Sequence, residues 1–156
     1  MDINDPKYMR RAIQVSQDAR DHGNHPFGAI LVDEDGNIVL EAENNIITTK
    51  DCTGHAETNL MRKASAQFSP DFLNRCTLYT STEPCAMCCG AIFWGGVRRM
   101  VFGLSMERLY AMNSALAGEQ LYLSSRDLFK HGTPATEVIG PVLEDEALRV
   151  HLGFWG

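Results

Sequence analysis

Two short motifs, His55-Ala56-Glu57 and Pro84-Cys85-Ala86-Met87-Cys88, constrain this chain more than any other feature. Each opens a run of helix formers. Only a fold that brings two helix starts to one point lets His55, Cys85 and Cys88 grip a single ion. Cys85 and Cys88, three residues apart on a helix, lie on nearly the same face. The partial positive charge of a helix N-terminus favours thiolates, and Pro84 suits a position whose N–H would have no helical partner. Three nitrogen and sulfur ligands with one place left for water is the ligand count of a catalytic zinc centre; structural centres are usually closed by four. The donor set points to one Zn2+ per chain, although iron or cobalt fits the same geometry.

Glu57 supplies what such a centre lacks. Two thiolates and a neutral imidazole leave the site near zero net charge, so a water there is acidified less than at an all-histidine centre, where its pKa falls to roughly 7. An adjacent base must take its proton. Glu57 is placed to do so, to pass the proton to a ring nitrogen beside the attacked carbon, and to protonate a departing amine. That chemistry suits a substrate containing N=C–NH2 and releasing ammonia. A rival reading uses Cys52, because Cys52-Thr53-Gly54-His55 is itself a Cys-x-x-His pair. With Cys85 and Cys88 it would make a closed Cys3His scaffold with no catalytic role, leaving Glu57 and Pro84 unexplained.

At 156 residues with 44% hydrophobic content, the chain fits one domain, 1–156. The N-terminus is charged and polar where a signal peptide would be apolar, and no run of about 18 apolar residues occurs, so a cytoplasmic protein with no membrane contact is expected. Five cysteines in such a compartment read as reduced. A net charge of −6 disfavours a long phosphate-tracking surface, despite the pairs Arg10-Arg11 and Arg98-Arg99, and favours a small-molecule partner over nucleic acid.

Element signals alternate along the chain. Asp5-Pro6 starts a helix that ends near His22-Gly23. Phe27–Val32 and Ile38–Ala42 read as strands joined across Asp35-Gly36, and Asn44–Gly54 as a polar loop. A helix over His55–Ala66, a strand over Cys76–Thr80, a helix over Cys85–Trp94 closed by Gly95-Gly96, and a strand over Val97–Leu104 follow. Beyond these, the spacing predicts helices over Glu107–Leu116, Ser125–Lys130 and Leu143–Leu152, with a strand over Thr136–Ile139. This is an α/β layer pattern, in which ligands bind beyond the carboxyl ends of strands.

The His-x-Glu and Pro-Cys-x-x-Cys motifs resemble those of the cytidine deaminase superfamily, zinc deaminases in which the glutamate moves protons and does not bind metal. The similarity runs from about Tyr8 to Leu104 and includes Pro26-Phe27-Gly28-Ala29, Asn44-Asn45, Leu78-Tyr79-Thr80-Ser81 and Gly90-Ala91-Ile92. It implies a three-layer α/β/α fold with a central five-stranded mixed sheet, and a homodimer. It also implies substrate contacts from Asn44, Phe27 and Ala56, and a lid from Phe154 and Trp155. Alternative roles are a turn for Asn44, core for Phe27, and a domain or oligomer seal for the two C-terminal rings. Phe27 and Ile92-Phe93-Trp94 resemble guanine deaminases, so deamination of a free base or nucleoside, a guanine-like purine first, is expected. Met87 is shared with tRNA adenosine deaminases, which makes that activity the alternative, with cytosine or cytidine deamination next. The acidic Glu144-Asp145-Glu146 speaks against tRNA.

Overall fold

The computed structural model describes residues 1–112 and 119–155, so the expected helix Glu107–Leu116 runs beyond the described residues. Its elements are α1 (Pro6–Asp21), β1 (Gly28–Val32), β2 (Ile38–Glu43), α2 (Ile46–Thr49), α3 (Ala56–Gln67), α4 (Pro70–Asn74), β3 (Thr77–Thr82), α5 (Ala86–Gly95), β4 (Arg99–Leu104), α6 (Met106–Ala111), α7 (Ser125–Phe129), β5 (Glu137–Ile139) and α8 (Glu144–Arg149). The strands form one sheet in the order β2-β1-β3-β4-β5. β1 runs antiparallel to β2 and β3, and β3, β4 and β5 run parallel, giving the expected five-stranded mixed sheet.

Both faces of the sheet are covered, which is why β1 is buried along its whole length. Ala29 and Leu31 pack in one cluster with Leu60, Ala64 and Ile92 of α3 and α5. Ile30 and Val32, pointing the other way by strand alternation, pack with Met9, Ala12 and Val15 of α1. A fully buried Leu or Ile contributes roughly 1.5–3 kcal/mol, so the two-sided burial of β1 and β3 anchors the fold. The helix signals act as read: the Asp5 carboxylate accepts from the Lys7 N–H with Pro6 in the first turn, and α5 stops at Gly96 in the left-handed region, φ 90°.

Two short helices depart from the sequence reading. α2 lies inside the expected polar loop; its β-branched Ile46-Ile47-Thr48-Thr49 disfavours a helix, but the Asn24 Oδ1 accepts from the N–H groups of Ile47 and Thr48 and holds the turn. That tertiary contact has no local signature. α4 did have one, since Ser69 caps it by accepting from Phe72 N–H and Pro70 opens it. Among the described residues, no helix is long and apolar enough to cross a membrane.

α3 and α5 lie on the same face of the sheet, and the pairing of Ala29 with Thr80 and Gly28 with Glu43 sets the start of β1 beside the ends of β2 and β3. Phe27, Asn44 and Glu83, each one residue outside a strand, therefore share one end of the sheet with Cys85.

Candidate active site

His55 and Cys85 are each the residue immediately before a helix, α3 and α5, in extended backbone and with no side-chain capping bond. Residues there ordinarily spend their side chains on the first helical N–H groups. These two are left available for metal. The loop ahead of His55 is closed by the Asn45 N–H donating to the Gly54 carbonyl at 2.9 Å, and a Cβ on Gly54 would collide with the Asn45 side chain. A larger residue there would have to displace the Asn45 amide, whose Oδ1 also accepts from Asn59.

The donor atoms of His55, Cys85 and Cys88 all lie within 4.8 Å of one another. His55 Nδ1 stands 3.5 Å from Cys85 Sγ, against about 3.6 Å for the N–S edge of a tetrahedral zinc site with ordinary bond lengths. The donor set thus fits zinc in size as well as in softness. A hydrogen bond from Cys88, helped by one from His55, pulls the Cys85 thiol down to about 4, so the cluster already favours a thiolate there. Cys52 is exposed and its sulfur does not join this group, although the residue lines the same cavity.

Glu57, in the first turn of α3, is buried, and burial together with the negative charge at Cys85 pushes its carboxyl up to about 7. It opens into a cavity of about 600 Å³ that His55 and Cys85 also line. Asn44 lies in that cavity, buried, and its Oδ1 accepts from the Ile46 N–H at 3.1 Å. The turn role and the cavity role therefore coexist: Oδ1 is spent on the turn, while Nδ2 takes no partner among the described residues. Phe27 and Trp155 form apolar walls, with ring centroids 6.1 Å apart.

The remaining expected residues stand elsewhere. Ala56 is fully buried in the core cluster beneath the site and does not line the cavity. Phe154 packs behind the wall, edge-on to Trp155 at 4.8 Å and under the Arg20 guanidinium at 5.5 Å. Cys76 and Cys89 are core residues. The structure adds His25, Glu83 and Tyr110 to the lining. Glu83 joins the site to its surroundings: one oxygen accepts from Met106 N–H, the other from Ser125 N–H and Oγ–H. Its position directly before Pro84-Cys85 was the available signal. His25 has only its place before Pro26-Phe27, and Tyr110 has none.

A family model for the cytidine and deoxycytidylate deaminase zinc-binding region matches residues 2–104. The chain is 51% identical to a probable cytosine deaminase of Schizosaccharomyces pombe over 97% of this chain and 92% of that protein. It is 39% identical to a tRNA-specific adenosine deaminase of Haemophilus influenzae over 70% of this chain and 64% of the relative. A guanine deaminase structure from Bacillus subtilis superposes with a TM-score of 0.64 at 28% identity, covering 86% of this chain and 99% of the other. With the clustered His and Cys donors and the fold in agreement, the chain belongs to the cytidine and deoxycytidylate deaminase family, zinc-dependent hydrolases that cleave C–N bonds.

Proposed function

We propose that this protein deaminates a free nucleobase, with cytosine as its preferred substrate. The observation that carries a free base is the shape of one cavity: Glu57, the ligand cluster and the uncommitted Asn44 amide face a space walled by Phe27 and Trp155. Flat apolar walls suit a planar ring, and a single inward amide donor suits a ring acceptor. The 51% identity to a probable cytosine deaminase, extending over nearly the whole chain, supports cytosine in particular.

His55, Cys85 and Cys88 would hold one zinc ion per chain, which when bound activates a water for attack on the amine-bearing ring carbon. Glu57 takes a proton from that water and delivers it to the neighbouring ring nitrogen. A second proton, from the hydroxyl now on the carbon, travels by way of Glu57 to the amino group. The C–N bond breaks, C=O forms, and ammonia leaves. Asn44 orients the ring, and the aromatic walls exclude bulk water.

A guanine-like purine is the second reading, favoured by Phe27 as a cavity wall and by the likeness to a Bacillus subtilis guanine deaminase over 86% of this chain. Against tRNA stands the acidic α8, although Arg10 and Arg108 pair with its Glu146, Glu144 and Asp145. Ammonia release by zinc-loaded protein, measured with cytosine, guanine, adenine, their nucleosides and a tRNA anticodon stem, tests the proposal. We expect cytosine to give the highest kcat/KM. A higher value for guanine moves the assignment to the second reading, and editing of the anticodon stem without turnover of any base overturns the free-base class.

A further inference from the structure

His151 is the one fully buried histidine among the described residues, and nothing in the deamination chemistry uses it. It follows α8 and reaches inward to the end of β3. Its Nδ1 accepts a hydrogen bond from the Trp155 indole N–H at 3.0 Å, and its Nε2 stands 3.3 Å from the Thr82 hydroxyl. These two contacts leave one proton arrangement. An Nδ1 that accepts from an indole carries no proton, so in a neutral ring Nε2 bears the hydrogen and donates it to Thr82 Oγ1. Burial, with the nearby positive Arg20 as a lesser cause, lowers the His151 pKa to about 4 and so keeps the ring neutral.

The surroundings hold both rings in place. The imidazole and indole planes are nearly parallel, 14° apart with centroids at 6.2 Å, and the edge of Phe27 closes on His151 at 5.4 Å. Arg20 of α1 donates to the carbonyls of Val150 and Leu152, both at 2.7 Å, fixing the backbone on either side of His151. Thr82 ends β3, three residues before Cys85. The C-terminal wall of the cavity is thereby referenced to the same strand end that carries a ligand.

We propose that His151 is a positioning residue that bonds the Trp155 indole to Thr82 and so sets the aromatic wall at a fixed height over the site for a planar heteroaromatic ligand. With its N–H committed to His151, Trp155 offers the cavity a face and no donor, which favours stacking over hydrogen-bond recognition on that side. Without the latch, the indole would have to find another partner, bond water or turn away, because a part-buried N–H left unpaired is costly. The ligand class rests on the free-base reading above; the latch does not.

The test uses zinc-loaded protein in a Trp94→Phe background, where Trp155 is the sole tryptophan. His151→Leu removes both hydrogen bonds, His151→Asn keeps an acceptor close to the position of Nδ1, and Thr82→Val removes only the far end of the relay. Acrylamide quenching of Trp155 should rise in His151→Leu and return toward the parent value in His151→Asn. With the best base as substrate, His151→Leu should raise KM about tenfold, the scale of one lost hydrogen bond plus its unpaired partner, and change kcat far less. Trp155→Phe combined with His151→Leu should be no worse than the worse single variant, since both remove the same bond. Unchanged quenching in His151→Leu, or additive losses in the double variant, overturns the latch. Quenching is read with no substrate present, so a wrong substrate class leaves this result intact. Should His151→Leu fail to fold, the milder Thr82→Val must still increase quenching, and its failure to do so overturns the latch as well.

Discussion

The Thr58 hydroxyl lies 3.3 Å from the sulfur of Cys88. Thr58 sits one residue after Glu57 in the first turn of α3, so the helix that carries the proposed proton carrier also brings a hydroxyl to a proposed ligand on the neighbouring helix. With Cys88 a thiolate only the hydroxyl can donate, and it withdraws charge from a sulfur that is otherwise buried. Groups of this kind orient ligands and are often worth a factor of about ten in metal affinity. Thr58→Val keeps the side-chain outline and deletes the donor. It should weaken zinc binding about tenfold in competition with a chromophoric chelator. An unchanged affinity would show that the contact has no influence on the metal.

Glu57 is in the cavity but is not one of the three clustered donors. Its replacement therefore separates metal binding from proton transfer. Glu57→Gln should retain the zinc content of the parent while ammonia release falls by at least a factor of about 10² to 10⁴, the usual worth of general acid–base catalysis. Loss of the metal in this variant would instead make Glu57 a ligand.

Cys52 tests the ligand count. It is exposed, while Cys85 and Cys88 converge with His55 at the helix starts. Cys52→Ser should keep the zinc content and bind the metal as tightly as the parent. Release of zinc on this substitution would establish the closed Cys3His scaffold and remove the position at which water is activated.

Legibility in the sequence followed the range of the interactions. α1, α3 and α5 carry their signals locally: Asp5-Pro6 at one start, Gly96 at one stop, and ligand residues directly before two helices. Their boundaries moved by about one residue because caps are only half inside a helix, whereas α6 stops at Ala111 and α8 at Arg149, short of the expected Leu116 and Leu152. α2 was illegible because its support comes from Asn24, far back in the chain, and because β-branched residues argue against a helix. At the site, His55, Cys85, Cys88 and Glu57 were written into two motifs and Glu83 adjoins one of them, whereas Tyr110 reaches the cavity through the fold alone. Phe154 and Trp155 looked equivalent as neighbouring aromatics. The His151 bond distinguishes them, turning Trp155 to the cavity and leaving Phe154 behind it under Arg20.

That bond also sets a pH dependence. Burial, then the charge of Arg20, lowers the His151 pKa to about 4, below the ordinary 6.5 expected in the unfolded chain. Above pH 6.5 both states are neutral, and the stabilising contribution is complete. As the pH falls from 6.5 toward 4, the unfolded chain takes up a proton that the folded chain refuses, so stability falls with it. The whole difference corresponds to about 3 kcal/mol, lost fully once the pH drops through 4. Carboxylates and metal ligands titrate over part of the same range, so the informative quantity is the difference between the parent and His151→Asn, measured by urea unfolding in matched zinc-free samples. The stability advantage of the parent should shrink by about 2 kcal/mol between pH 7.5 and pH 5. A difference independent of pH would mean that His151 titrates alike in the folded and unfolded chain, and that the bond to the Trp155 indole does not require a neutral ring.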